Sequence, residues 1–184
     1  GHEAGQNVTT GTENTIIGGL AGDALTTGED NTALGYNALT SAQEDGRNTA
    51  IGRGALAGQN GAGTAYNTAL GYNAGGAVST GAQNTIIGGL AGDALTTGSN
   101  NVAVGRSALS AEQEGGRNTA IGYAALLTQN TTGFAYNVAV GYNAGENVTT
   151  GTQNTIIGAL AGDALTTGGY NIALGYEALS TEDS

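Results

Sequence analysis

The hydrophobic pattern of this chain is short-ranged and recurs on a fixed clock. An Asn, three further residues and a Gly occur ten times, at Asn14, Asn31, Asn48, Asn67, Asn84, Asn101, Asn118, Asn137, Asn154 and Asn171. The intervening triplets read Thr-Ile-Ile, Thr-Ala-Leu, Thr-Ala-Ile, Val-Ala-Val or Ile-Ala-Leu. They are short, partly β-branched and bounded by turn formers, with no 3.6-residue stripe, so they predict strands. Alternation along a strand puts the first and third residues of a triplet on one face and the second on the other. Both faces are apolar or nearly so, which predicts that both are covered. A narrow single-chain coil covers only one of them, and the other calls for a partner chain.

The steps between successive Asn run 17, 17, 19 and 17 residues and then repeat, giving a four-coil unit of 70 residues. The stretch NTIIGGLAGDALTTG at 14–28 returns unchanged at 84–98, and at 154–168 with Ala159 in place of Gly89. We therefore divide the chain, as one array over 1–184, into a partial coil (1–13), two full superrepeats (14–83 and 84–153) and a partial third (154–184). The array starts and stops in mid-pattern, as a segment of something longer would. Each triplet is followed by Gly, and three residues later by Ala, from Ala21 to Ala178. A Gly in every coil marks a backbone conformation or approach that a Cβ would obstruct. An Ala in every coil marks a contact with room for one methyl group. A coil of 17 residues is too short for a strand plus a crossover helix. The fold class is therefore all-β, a parallel β-solenoid, and ten stacked coils make a rod of roughly 50 Å. The ten Asn should stack at one corner as an amide ladder.

Composition narrows the function. The chain has 35 Gly, eight Tyr and one Phe, and no Pro, Cys, Met or Trp. Its 39% apolar content at fixed intervals argues for order rather than a disordered polar tract. Fifteen acidic residues against four Arg give a net charge of −11. That balance disfavours nucleic acid and anionic membrane surfaces as partners. The 184 residues hold no transmembrane run, signal-peptide pattern or initiator Met, and no membrane insertion is expected. The sole histidine, His2, has no second His and no Cys with which to build a metal or nucleophile constellation, and the expectation is a non-enzyme.

Two regions are candidates for binding. The 19-residue coils are the third of their unit, and their longer stretches, AGQNGAGTAY at 57–66 and LTQNTTGFAY at 127–136, fall at one azimuth. Insertions on one side of a solenoid often carry binding, so Thr64, Tyr66, Thr131, Thr132, Phe134 and Tyr136 are the candidate contact residues. The acidic hairpins Ser41–Arg47 and Ala111–Arg117 also recur in phase. Glu44 with Asp45 and Glu112 with Glu114 are candidate calcium oxygens, set against solvated faces paired with Arg47 and Arg117. Asp23, Asp93 and Asp163 offer one carboxylate per four coils, far short of a calcium shell, and read better as turn caps. Thr15, Thr32, Thr49, Thr68 and Thr85 form a column that raises ice binding. Val102, Val138 and Ile172 interrupt it, and large aliphatics share its face, which suggests a buried face.

The repeats NTALGYNAL (31–39), NTAIGRGAL (48–56), NTAIGYAAL (118–126) and NVAVGYNAG (137–145) resemble the head repeats of trimeric autotransporter adhesins. They are equally similar to related repeats of phage and cyanophage tail fibres. The resemblance implies a left-handed parallel β-roll with three chains side by side, which would cover the second strand face. It implies an extracellular, cell-surface or virion-surface shaft or head that contacts a cell-surface or matrix receptor. Coils here are longer than is typical of those repeats, and the NTIIGGLAG coils carry a second Ile in place of Ala. The expectation is a structural and adhesive fibre segment, self-associating as a homotrimer or end to end as a filament. Ice binding is the rival from another class.

Overall fold

A computed structural model of the chain describes residues 1–180. Ten three-residue strands stand where the triplets stand: β1 (Thr15–Ile17), β2 (Thr32–Leu34), β3 (Thr49–Ile51), β4 (Thr68–Leu70), β5 (Thr85–Ile87), β6 (Val102–Val104), β7 (Thr119–Ile121), β8 (Val138–Val140), β9 (Thr155–Ile157) and β10 (Ile172–Leu174). All pair in parallel with their sequence neighbours, in one ten-stranded sheet of order β1 to β10. The register is triplet on triplet throughout, Thr15 beside Thr32 and Ile16 beside Ala33, and the two longer coils do not disturb it. The protein is a parallel β-solenoid. Nine steps of about 4.8 Å make the sheet about 43 Å long. Among the described residues no helix is long and apolar enough to cross a membrane.

Each coil turns its corners with left-handed residues. The Gly after the triplet takes φ between 120° and 146° in all ten coils. A Cβ on Gly88 would lie 2.5 Å from the carbonyl oxygen of Gly105, one coil on, so the recurrent Gly answers a close approach of stacked backbones. Three further positions per coil also have positive φ, filled by residues as different as Arg47, Leu39 and Asn73. Strain at those positions, of order 1–2 kcal/mol for an L-residue, is held by the hydrogen bonds of the neighbouring coils.

The second triplet residue points into the coil. Ala33, Ala50, Ile86, Ala103, Ala120, Ala139 and Ile156 are fully buried, as are the recurrent alanines from Ala21 to Ala161. With Leu25, Leu39, Leu56, Leu95, Leu109 and Leu126 they form one continuous core. Volumes are matched within most coils and, in the fourth coil of each superrepeat, with the coil that follows. Where the triplet supplies Ile, at Ile16, Ile86 and Ile156, the facing positions are Gly22, Gly92 and Gly162, whose missing Cβ atoms would sit against the isoleucine side chains. Where the triplet supplies Ala, as at Ala33, Ala50, Ala103 and Ala120, the same position is Leu39, Leu56, Leu109 or Leu126. The exceptions are Ala69 and Ala139, where Gly75 and Gly145 leave room for Ile86 and Ile156 of the next coil. This explains the second Ile of NTIIGGLAG: it is a core residue given room by a glycine.

The Asn column is a ladder of a different kind from stacked amides alone. Each Asn Oδ1 accepts from the backbone N–H of the Asn one coil on, at 2.8–3.1 Å from Asn31 through Asn171. Its Nδ2 ties down its own coil by donating to a carbonyl fourteen residues ahead, as Asn84 does to Gly98 at 2.9 Å. Amide-to-amide bonds are added at Asn84, Asn118 and Asn171. In the third coil of each unit the inserted residues remove the carbonyl fourteen ahead. Asn118 Nδ2 then turns to Asn101, and Asn48 Nδ2 has no partner among the described residues.

The first and third triplet residues form the outer face. It is not covered by the chain itself: Ile17 is 55% exposed, Leu70 46% and Ile157 38%. The expectation that both strand faces are covered therefore holds within one chain for the inner face alone. The Thr/Val column beside it is exposed at Thr15, Thr68 and Ile172 and partly buried at its other positions, so the face that the aliphatics share with it is partly covered by the chain rather than fully buried.

Candidate functional site

The outer face is bordered by two columns of polar-aromatic residues. On the side after the triplet, the Arg53 guanidinium lies 5.8 Å from the ring centres of both Tyr36 and Tyr72. One superrepeat on, Arg106 lies over Tyr123, which stacks on Tyr142 at 5.3 Å between centroids. On the side before the Asn, Arg47 donates to Asp30 Oδ2 at 3.3 Å and to the Tyr66 hydroxyl at 2.8 Å. Its counterpart Arg117 donates to the Tyr136 hydroxyl and lies 3.9 Å over the ring of Phe134. Arginine stacked on exposed aromatic rings keeps those rings in fixed places. The candidate residues Tyr66, Phe134 and Tyr136 are thus brought together with Arg47 and Arg117, the last residues of the acidic hairpins.

The third-coil stretches are partly internal. Gln59, Ala65, Gln129 and Ala135 are buried, while Thr64, Tyr66, Thr132, Phe134 and Tyr136 face solvent. In both loops the strand-like pairing is the same. Gly46 N–H donates to Gly63 O at 2.8 Å and Ala65 N–H to Gly46 O at 3.1 Å; Gly116 and Ala135 repeat this in the second loop. Beneath each loop lies a buried carboxylate, but from a different position in the hairpin. In the first superrepeat it is Asp45, whose counterpart in the second is Gly115; in the second it is Glu112, whose counterpart in the first is Ala42.

Glu112 is fully buried and accepts from Gln113 N–H, Gly115 N–H, Thr131 N–H and Oγ1, and Gln129 Nε2, at 2.8–3.3 Å. The far end of Gln129 accepts from Asn137 Nδ2 at 2.8 Å, which joins the loop to the Asn ladder. Asp45 has a thinner set: Gln59 Nε2 donates at 3.1 Å, Gln59 accepts from Asn67, and Asp45 Oδ2 has no partner among the described residues. Burial pushes the Asp45 carboxyl above the ordinary aspartate value, against the bonds from Gln59 and the Gly61 backbone that pull it down.

The hairpin carboxylates therefore divide. Glu44 and Glu114 are exposed, whereas Asp45 and Glu112 are internal, which corrects the picture of solvated pairs with Arg47 and Arg117. The surroundings of Glu112 do not suit calcium: N–H groups of Gln113, Gly115, Thr131 and Gln129 and the Thr131 hydroxyl donate to it, in place of further carboxylates or carbonyls. No group of three or more His, Asp or Glu placed to hold a metal occurs among the described residues. Asp93 accepts from the Ser110 hydroxyl at 2.6 Å, and Asp23 from Thr40 in the same way, so these carboxylates bridge successive coils rather than cap their own turns.

Gln59 and Gln129 were not recognisable from the sequence as organising residues. The available signal was the exchange of Ala42 and Asp45 for Glu112 and Gly115 between otherwise matching hairpins, which keeps one carboxylate under each loop. No protein-family model matches the chain, and comparison with curated proteins and with solved structures finds no similar one.

Proposed function

We propose that this chain is a non-enzymatic segment of an extracellular fibre, the rigid shaft or head of an adhesin-like or tail-fibre-like protein. The observation that carries the reading is the outer face: ten in-register strands present a Thr/Val column and an Ile/Leu/Val column with no charged side chain between them. A charge-free apolar strip along a rod of net charge −11 suits side-by-side association of parallel copies, the arrangement that the resemblance to trimeric adhesin repeats implies. The third-coil loops, repeated every four coils, are the places for contact with a cell-surface or matrix receptor. Light scattering across a concentration series tests association: a fixed multiple of the 17.9 kDa chain supports the shaft, and a mass that climbs with concentration supports a filament built end to end.

Ice binding is the second reading, favoured by the outward exposure of Thr15 and Thr68 in a column of near-constant spacing. Thermal hysteresis at high protein concentration separates the two, since a fibre segment gives none.

A further inference from the structure

The two third-coil loops share a backbone but not a surface. Beside the first, a small cleft of about 140 Å³ includes Glu29, Asp30, Glu44 and Arg47. Beside the second lies a larger one of about 310 Å³, at the lower end of the range of small-ligand sites. Asn130, Thr131, Thr132, Phe134, Thr150 and Thr152 line it, and no charged side chain does. The corresponding residues of the first superrepeat are Asn60, Gly61, Ala62, Thr64, Thr80 and Ala82. Relative to the first loop, the second has thus gained hydroxyls at Thr131, Thr132 and Thr152 and exchanged the Thr64 hydroxyl for the ring of Phe134.

Both features are held in place. Thr131 is fixed from below by Glu112, which takes both its N–H and its hydroxyl proton. Phe134 is 54% exposed, with Arg117 at 3.9 Å over the ring and Tyr136 edge-on at 6.1 Å. An aromatic ring already ordered before contact loses little side-chain freedom on binding. A cation finds no carboxylate here, and an anion meets the field of a strongly acidic chain with Arg117 already engaged. What remains is a neutral ligand with an apolar face for the ring and hydroxyls for Thr132, Thr150, Thr152 and the Asn130 amide.

Resting on the adhesive reading, we propose that this cleft binds a neutral saccharide unit of a surface or matrix glycan. The test uses cellohexaose and chitohexaose as neutral probes and a hyaluronan hexasaccharide as the acidic one. Binding to the full chain is measured by calorimetry and saturation-transfer NMR. At least one neutral probe should bind with Kd of about 1 mM or tighter. Phe134→Thr installs the residue the first loop already carries at Thr64, so the fold accommodates it, and should weaken binding at least about tenfold. Thr132→Ala, matching Ala62, should weaken it less. No binding of either neutral probe, equal binding to Phe134→Thr, or preference for the acidic probe would overturn the proposal. Mass measurements report on the shaft independently: a chain that stays single yet binds through Phe134 keeps the site and loses the shaft.

Discussion

Ile156 and Ile157 are adjacent in β9, yet the first is fully buried and the second is 38% exposed. The contrast runs the length of the rod. The inner face holds mostly Ala, with an Ile only where a Gly faces it; the outer face holds the larger aliphatics. In most sheets the large side chains go inside. Here each coil has room for only a few large side chains, supplied by residues such as Leu39, Ile86 and Leu95 among alanines and glycines, and the aliphatics of the third triplet position are left on the outside. The inner face makes the coil; the outer face is available for a second molecule.

The largest expected effect breaks the inner face. Ile86→Ala leaves a void against Gly92 and should cost about 3 kcal/mol, read by denaturant unfolding. The triple change I86A/G92L/L95A copies the core of the second coil (Ala33, Leu39, Ala42) and should recover at least half of that loss. If it does not, the coil-by-coil volume match is not what sets the core. Next comes a polar test of the same interior. Glu112→Ala strands the N–H groups of Gly115 and Thr131 and should cost about 2–3 kcal/mol.

Asp45 should behave differently, because it is buried with fewer partners. Its folded carboxyl titrates above the unfolded value, so between the two the folded chain keeps a proton that the unfolded chain has released. Stability should therefore fall as pH rises through that window, and Asp45→Asn should remove this part of the slope. Urea midpoints measured from pH 3 to pH 7, a span of about four units around ordinary carboxylate values, check the sign. A rise in this contribution with pH would mean that Asp45 is better solvated than its burial implies.

On the outer face, Ile121→Asp should leave folding within about 0.5 kcal/mol of the parent, since Ile121 already meets water in the single chain. It should nevertheless abolish association, read as mass. Smallest of all, Ala124→Gly relaxes a residue at φ 53°, where the first superrepeat has Gly54, and should gain a few tenths of a kcal/mol, about 0.5 at most.

Strand positions, coil period and the recurrent Gly and Ala could be read directly from the chain, because every coil meets the same neighbours and so repeats the same requirement. The alternation within each triplet was equally readable. Which face was inner was not, since Ala and Ile are both apolar and only the width of the coil decides between them. The third-coil loops were found as insertions, with Phe134 and Tyr136 among their exposed residues. Their foundation was missed: burial of Asp45 and Glu112 depends on Gln59 and Gln129 arriving from the next coil, a contact between residues 14 and 17 positions apart that no local pattern marks.

The most direct test of the central claim, that the outer face joins parallel copies, is the solution mass of the chain beside its Ile121→Asp variant. The parent should hold a fixed multiple of 17.9 kDa, three copies if the adhesin resemblance extends to assembly, while the variant stays folded at 17.9 kDa. A parent that remains a single chain at every concentration, or a variant that assembles as the parent does, would contradict it.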